Sequence, residues 1–181
     1  MNLSEIIETS ISQSVVQIFS TMLGVEIDQG GCGIESGSPE ANDGVVSLIG
    51  IAGTWVGTGS ITCSPVLACR ICSQLLMTES SAVDEEVLDA VAELTNMVVG
   101  NVKTDLENHL GPLGLSIPTV VYGRNFKTKS AGHAEWIVVR FAWEGEPLVV
   151  KLCLAQNERQ AEPRSALTIT HQTTSSCAMD V

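Results

Sequence analysis

The chain has 181 residues, 44% of them hydrophobic and 17% charged, with a formal net charge of −12 at pH 7. This length and apolar content suit one ordinary domain, or two small fused units, with a real core, and exclude a disordered chain except at its end. The acidic balance and the absence of any basic run argue against nucleic acid and anionic membrane surfaces, and no apolar run reaches the roughly 20 residues that span a bilayer.

The first 24 residues carry Glu5 and Glu8 and are amphipathic rather than uniformly apolar. They read as a helix over about residues 3–23, closed by Gly24, and not as an export signal, so the expected setting is the cytoplasm. A Gly/Ser-rich loop is expected from Gly30 to Gly44. Two apolar segments follow, Val45–Gly53 and Val56–Cys63, separated by the turn-like Gly53-Thr54-Trp55. A helix from about Pro65 to Met77 comes next, then a long helix from Asp84 to about Leu110, stopped by Gly111-Pro112. Beyond it are a strand candidate at Leu115–Tyr122 and a loop at Gly123–Gly132. A hairpin then pairs 135–143 with 148–154 across the turn Glu144-Gly145-Glu146-Pro147. The residues from Gln156 on are polar, without clear periodicity.

The long helix carries the strongest functional signal. At about 100° per residue, Asp89, Glu93, Asn96, Gly100, Lys103 and Glu107 fall on one narrow stripe, spaced 4, 3, 4, 3, 4. Val87, Val91, Leu94, Val98 and Val102 fall opposite, where they would face a core. A glycine in mid-helix costs roughly 1 kcal/mol against alanine. Between a carboxamide and an ammonium on an exposed stripe, Gly100 reads as clearance for something that approaches the helix closely. A lone Glu and Asn on a helix are ordinarily only a solvated face. For Lys103, pairing with Glu107 one turn on competes evenly with a contact to a partner. Thr104 reads as packing or local hydrogen bonding.

The six cysteines fit a reducing compartment. Cys63, Cys69, Cys72 and Cys153 sit within apolar segments, where cysteine behaves as a small hydrophobe. The Cys69–Cys72 pair lies in a helical pattern and lacks the second ligand pair a zinc site wants, since Cys32 and Cys177 stand alone. The three histidines are scattered, so no metal site is expected. A redox or metal protein built on Cys69 and Cys72 stays open as an alternative.

The chain also divides into similar halves. Gln17-Ile18-Phe19-Ser20-Thr21-Met22-Leu23-Gly24 aligns without a gap on Glu93-Leu94-Thr95-Asn96-Met97-Val98-Val99-Gly100, and each helix is followed by a strand hairpin. The expected fold is α/β (α+β): duplicated helix–strand–strand units, about 3–77 and 84–154, with long helices packed on one mostly antiparallel sheet. They would form a single domain, 1–155, ahead of a polar tail, 156–181. Gln17 and Ser20 stand where the second copy has Glu93 and Asn96, so the first copy reads as a decayed version of the stripe.

The run from Asp89 to Thr104, followed by Ser116-Ile117-Pro118-Thr119-Val120-Val121-Tyr122-Gly123, resembles the CheX branch of the CheC/CheX/FliY phosphatases. That family's signature is a Glu, an Asn three residues later, and a Pro a little over twenty residues beyond; Glu93, Asn96 and Pro118 match it. The segment from Val45 to Ser60 resembles the family's first hairpin, and the likeness extends over residues 3–154. Ala92 departs from the Gly, Ser or Asp frequent before the Glu, and the tail matches nothing.

The resemblance implies dephosphorylation of a phosphorylated CheY-like response regulator, with Asn96 ordering the attacking water and Glu93 docking the regulator's lysine. It assigns Asp89, Gly100 and Lys103 to the partner surface and Pro118 to the supporting strand. It implies no cofactor of the chain's own, the Mg2+ coming with the regulator, and a homodimer through extended sheets. A module that docks the regulator or a flagellar-switch component without hydrolysis is the alternative.

Overall fold

The computed structural model describes residues 2–36, 40–128 and 135–157, and among these three α-helices cover one face of a seven-stranded antiparallel sheet. Helix α1, Leu3–Ile18, starts in a capping box: Asn2 Oδ1 accepts from the Glu5 amide at 2.9 Å, and Glu5 Oε2 accepts from the Asn2 amide at 3.0 Å. Ile7, Ile11, Val15 and Ile18 bury its apolar stripe. Its last turn widens into a π-helical segment, Phe19–Leu23, ended by left-handed Gly24 at φ 70°. Phe19 is buried there and meets Trp143 edge-to-face, with ring centroids 6.0 Å apart.

Helix α2, Pro65–Leu76, has Ser64 as its N-cap, accepting from the Leu67 amide at 3.1 Å, and Pro65 in its first turn. Helix α3, Glu85–Leu110, begins at Asp84, which accepts from the Val87 amide at 3.0 Å, and stops at Gly111 with φ 80°. Helices α1 and α3 run antiparallel in contact. Ser10 Oγ donates to Asp105 Oδ2 at 2.7 Å and Ser14 Oγ to the Val98 carbonyl at 3.1 Å, so one chain advances as the other returns.

The strands are β1 Asp28–Ser36, β2 Glu40–Gly53, β3 Trp55–Cys63, β4 Leu113–Leu115, β5 Thr119–Thr128, β6 Glu135–Trp143 and β7 Glu146–Gln156. Their order is β1-β6-β7-β3-β2, with β4 and β5 both paired to the far edge of β2. Exchanging β1 with β5, β2 with β6 and β3 with β7 leaves this order unchanged, with the β3–β7 pair at its centre. Alternate residues of the central strands, among them Ile49, Ile61, Val139, Phe141, Val150 and Leu152, form one core with the helices. Gly59 is a packing glycine: a Cβ there would stand 2.9 Å from Val99 Cγ2.

Several expected boundaries need correction. The stretch from Gly30 to Gly44 is not a loop: β1 occupies its first part and β2 begins at Glu40. Nearly every residue of β1 is exposed, so it carries no alternating pattern; it is held through its backbone to β6, with a bulge between Gln29 and Cys32. Glu35 adds a clamp, bonded to Arg140 on β6 and to Lys151 on β7 at 2.8 Å. The Lys151 ammonium, then the Arg140 guanidinium, hold its carboxyl below the ordinary range.

The single strand expected at Leu115–Tyr122 is broken at residues 116–118 into β4 and β5, and β5 continues to Thr128 through the first part of the expected loop. Pro118 has no amide hydrogen to give a ladder. Ser116 replaces it, its amide donating to the Gly50 carbonyl at 2.9 Å and its Oγ accepting from the Gly50 amide at 2.8 Å. The β6–β7 turn is tighter than expected, Glu144 and Gly145 taking φ 50° and 81°, so that Pro147 lies within β7. Gln156 also belongs to β7, and Asn157 bonds the β2–β3 turn through Gly53 and Thr54. The rest of the expected tail, and residues 129–132 of the expected loop, lie outside the described residues.

Candidate functional site

Helix α3 presents its two faces as the spacing predicts. Val87, Val91, Leu94, Val98 and Val102 are buried, while Asp89, Glu93 and Asn96 are exposed and Gly100, Lys103 and Glu107 half-exposed. Thr95 and Val99 also turn inward, the Thr95 hydroxyl satisfied by the Val91 carbonyl at 2.8 Å.

The stripe has a tied end and an open end. Lys103 Nζ pairs with Glu107 Oε2 at 2.8 Å, and Glu107 Oε1 accepts from the Leu113 amide at 2.9 Å. Those two partners, the Lys103 ammonium first, hold the Glu107 carboxyl below its ordinary range. This end therefore staples the helix terminus to β4. At the other end, no hydrogen bond or ion pair holds the side chain of Glu93 or Asn96 among the described residues. Both are presented to solvent with their bonding capacity intact.

Gly100 lies between the two ends. A Cβ built on it meets nothing within 4 Å, so the chain's own packing does not require glycine there, in contrast to Gly59. Thr104 is local: its hydroxyl donates to the Gly100 carbonyl at 2.9 Å. Pro118, half-buried, closes the bend between β4 and β5 rather than standing on the helix.

The aligned residues of the first half are arranged differently. Ser20 Oγ and Thr21 Oγ1 both donate to the Gln17 carbonyl, at 3.0 and 2.7 Å, inside and beside the π-helical turn. Gly24, aligned with Gly100, terminates its helix instead of sitting in the middle of one.

The thiols of the described residues do not form a site. Cys69 and Cys72 are buried in α2, where Ser80 donates to Cys72 Sγ at 3.3 Å. Burial first, then the neighbouring Cys72, pushes the Cys69 thiol up, and burial carries Cys63 to about 12. Such thiols are poor nucleophiles. The five described cysteines are free. Among the described residues no three His, Cys, Asp or Glu side chains converge as for a metal ion, and no helix is long and apolar enough to cross a membrane.

With this arrangement in view, residues 45–142 match the model of the family "Chemotaxis phosphatase CheX". The chain belongs to the CheX family. It is 35% identical over 121 residues to the CheY-P phosphatase CheX of Thermotoga maritima, covering 66% of this chain and 77% of that relative. The fold is shared with solved structures. A CheC-like superfamily protein from Shewanella sp. PV-4 superposes with a TM-score of 0.74 at 28% identity, covering 86% of this chain and 99% of that one. Chemotaxis protein CheX from Vibrio vulnificus gives 0.73 at 26% identity, with 82% and 99% covered. A chain of the CheX–CheY–BeF3–Mg2+ complex from Borrelia burgdorferi gives 0.71 at 24% identity, covering 86% and 99%.

Proposed function

We propose that this chain removes the phosphoryl group from the aspartyl phosphate of a CheY-like response regulator, with Asn96 as the water-positioning residue and Glu93 as the docking residue. One observation carries the reading: in a chain of the CheX family, an exposed carboxamide and carboxylate stand three residues apart on α3 with no partner of their own among the described residues.

An acyl phosphate is already activated, so the chain needs no nucleophile. Asn96 accepts a hydrogen bond from a water through Oδ1 and can donate through Nδ2 to the phosphoryl group, aiming the water oxygen at phosphorus in line with the aspartyl oxygen. The new P–O bond forms as the aspartyl P–O bond breaks, and the water's proton leaves with the inorganic phosphate. Orienting water with a side-chain amide is the task of glutamine in GTPases. Glu93 offers its carboxylate one turn away, where it would pair with a lysine of the partner. Mg2+, which neutralises phosphoryl charge, would come with the regulator. Asp89 flanks the site, Gly100 supplies clearance, and Lys103 stays paired with Glu107.

The working setting would be the cytoplasm. A homodimer would form through the sheet edges, where β1 offers an exposed backbone and Ile34 is 59% exposed. The two-fold strand order supports descent from a duplicated unit, and the bonded Ser20 supports one working site in place of two.

Phosphate release from a phosphorylated CheY-type regulator tests this reading. Asn96→Ala should lower turnover by about 100-fold, the scale of losing one oriented polar group, while the half-saturating regulator concentration is kept. Glu93→Ala should raise that concentration by roughly tenfold. Unchanged release in both variants contradicts the proposal. Tight regulator binding without any release by the wild type would favour the non-catalytic module.

A further inference from the structure

The Glu107–Leu113 bond fixes which way the stripe faces. Because Glu107 reaches the β4 backbone, the flank of α3 that carries Asn96, Gly100 and Lys103 is turned toward the β4–β5 edge. The chain then retraces the helix. Gly111 and Thr54 meet at one end, where Thr54 Oγ1 donates to the Leu110 carbonyl at 2.6 Å. Further back, Val99 packs over Gly59, whose partner across the β2–β3 ladder is Ile49. Leu48 pairs with Thr119 and Ile51 with Leu115, so the bend at residues 116–118 lies at the level of Ile49 and hence of Val99.

Elementary geometry gives the same level. From Glu107 back to Asn96 the helix covers roughly 16 Å at about 1.5 Å per residue. From Leu113 on to Pro118 an extended chain covers roughly 16 Å at about 3.3 Å per residue. The bend therefore lies level with the Asn96–Gly100 turn, on the side of α3 that Glu107 ties to β4.

At its tip stands Ile117, with 88% of its surface exposed. No core contact explains an isoleucine there, and the bend is tied in place: Ser116 is bonded twice to Gly50, and Pro118 fixes its own φ. A stiff, fully presented apolar side chain loses little freedom when covered.

We infer that the Ser116–Ile117–Pro118 bend is the second half of the docking surface, with Ile117 as the apolar anchor covered by a response regulator whose phosphorylated site has reached Asn96. The inference rests on the phosphatase reading above. It requires an apolar or aromatic side chain on the regulator surface next to its phosphorylated aspartate. Glu93 would then hold the charged part of the partner and Ile117 the apolar part, with Asn96 between α3 and the bend.

Phosphate release measured against regulator concentration separates this inference from the reading beneath it. Ile117→Ser should raise the half-saturating concentration about tenfold, equivalent to about 1.4 kcal/mol, and leave saturated turnover unchanged. Ile117→Leu should restore it to within about threefold of wild type. Asn96→Ala, run in parallel, should do the reverse, losing turnover and keeping half-saturation. If Asn96→Ala loses turnover but Ile117→Ser behaves as wild type, the bend is not part of the interface and the phosphatase reading stands. If Asn96→Ala keeps full turnover, the reading and the inference fall together. Sedimentation of Ile117→Ser should match wild type; dissociation of an oligomer would assign Ile117 to contacts between copies and overturn the inference.

Discussion

Two solvent-facing turns of this molecule carry the same polar spacing, Gln17 with Ser20 on the first half and Glu93 with Asn96 on the second, and the structure holds them differently. Ser20 spends its hydroxyl on the Gln17 carbonyl, shared with Thr21, within a π-helical turn that ends at Gly24. Asn96 sits mid-way along a continuous α-helix with its amide uncommitted among the described residues, four residues before a glycine whose neighbourhood is open. On the proposed reading, the Glu-x-x-Asn spacing works only together with a helix that continues past the amide and open room at Gly100, and in the first half the helix ends at Gly24 instead.

Substitutions can break or sharpen that contrast. The largest effect outside Asn96 itself is expected at Gly100. Gly100→Leu should raise the half-saturating regulator concentration tenfold or more, because its side chain would fill the open space into which the proposed mechanism docks the regulator. A smaller effect separates the two aligned glycines. Gly100→Ala should stabilise the fold by up to about 1 kcal/mol, since a mid-helix glycine is replaced without a clash. Gly24→Ala should destabilise it by about 1 kcal/mol, because φ 70° disfavours a side chain. Denaturant unfolding reads both, and a common sign would show that the two positions are equivalent after all. The smallest effect is expected from rebuilding the first copy. Gln17→Glu with Ser20→Asn should change phosphate release by less than about twofold in an otherwise intact chain, since the π-helical turn and the helix end at Gly24 remain.

The contrast also shows what the sequence could and could not reveal. Helix limits were legible because their caps are local: Ser64-Pro65, Asp84 and Gly111 mark ends that the backbone obeys. The α3 stripe was legible because 3.6-residue periodicity separates Val91 and Val98 from Glu93 and Asn96. Strand β1 was not, since its pairing to β6 is made by backbone groups and its side chains stay exposed. The break at residues 116–118 depends on Ser116 meeting Gly50, 66 residues away, and no local pattern announces such a contact. The same holds at the site. Glu107 was on the stripe by arithmetic, but only its bond to Leu113 reveals that this end is structural and that the stripe faces the β4–β5 edge. Nothing local in the apolar run around Ile117 marks it as exposed, because its exposure follows from the same long-range break. The π-helical turn has no signature in Phe19–Leu23 that separates it from an ordinary helix end.

On the proposed mechanism Asn96, and not its counterpart Ser20, orders the attacking water. Single-turnover phosphate release at saturating phosphorylated regulator, comparing Asn96→Ala with Ser20→Ala, tests it most directly. A loss of about 100-fold is expected for Asn96→Ala and of less than about twofold for Ser20→Ala. Full turnover in Asn96→Ala, or an equal loss in the two variants, would contradict it.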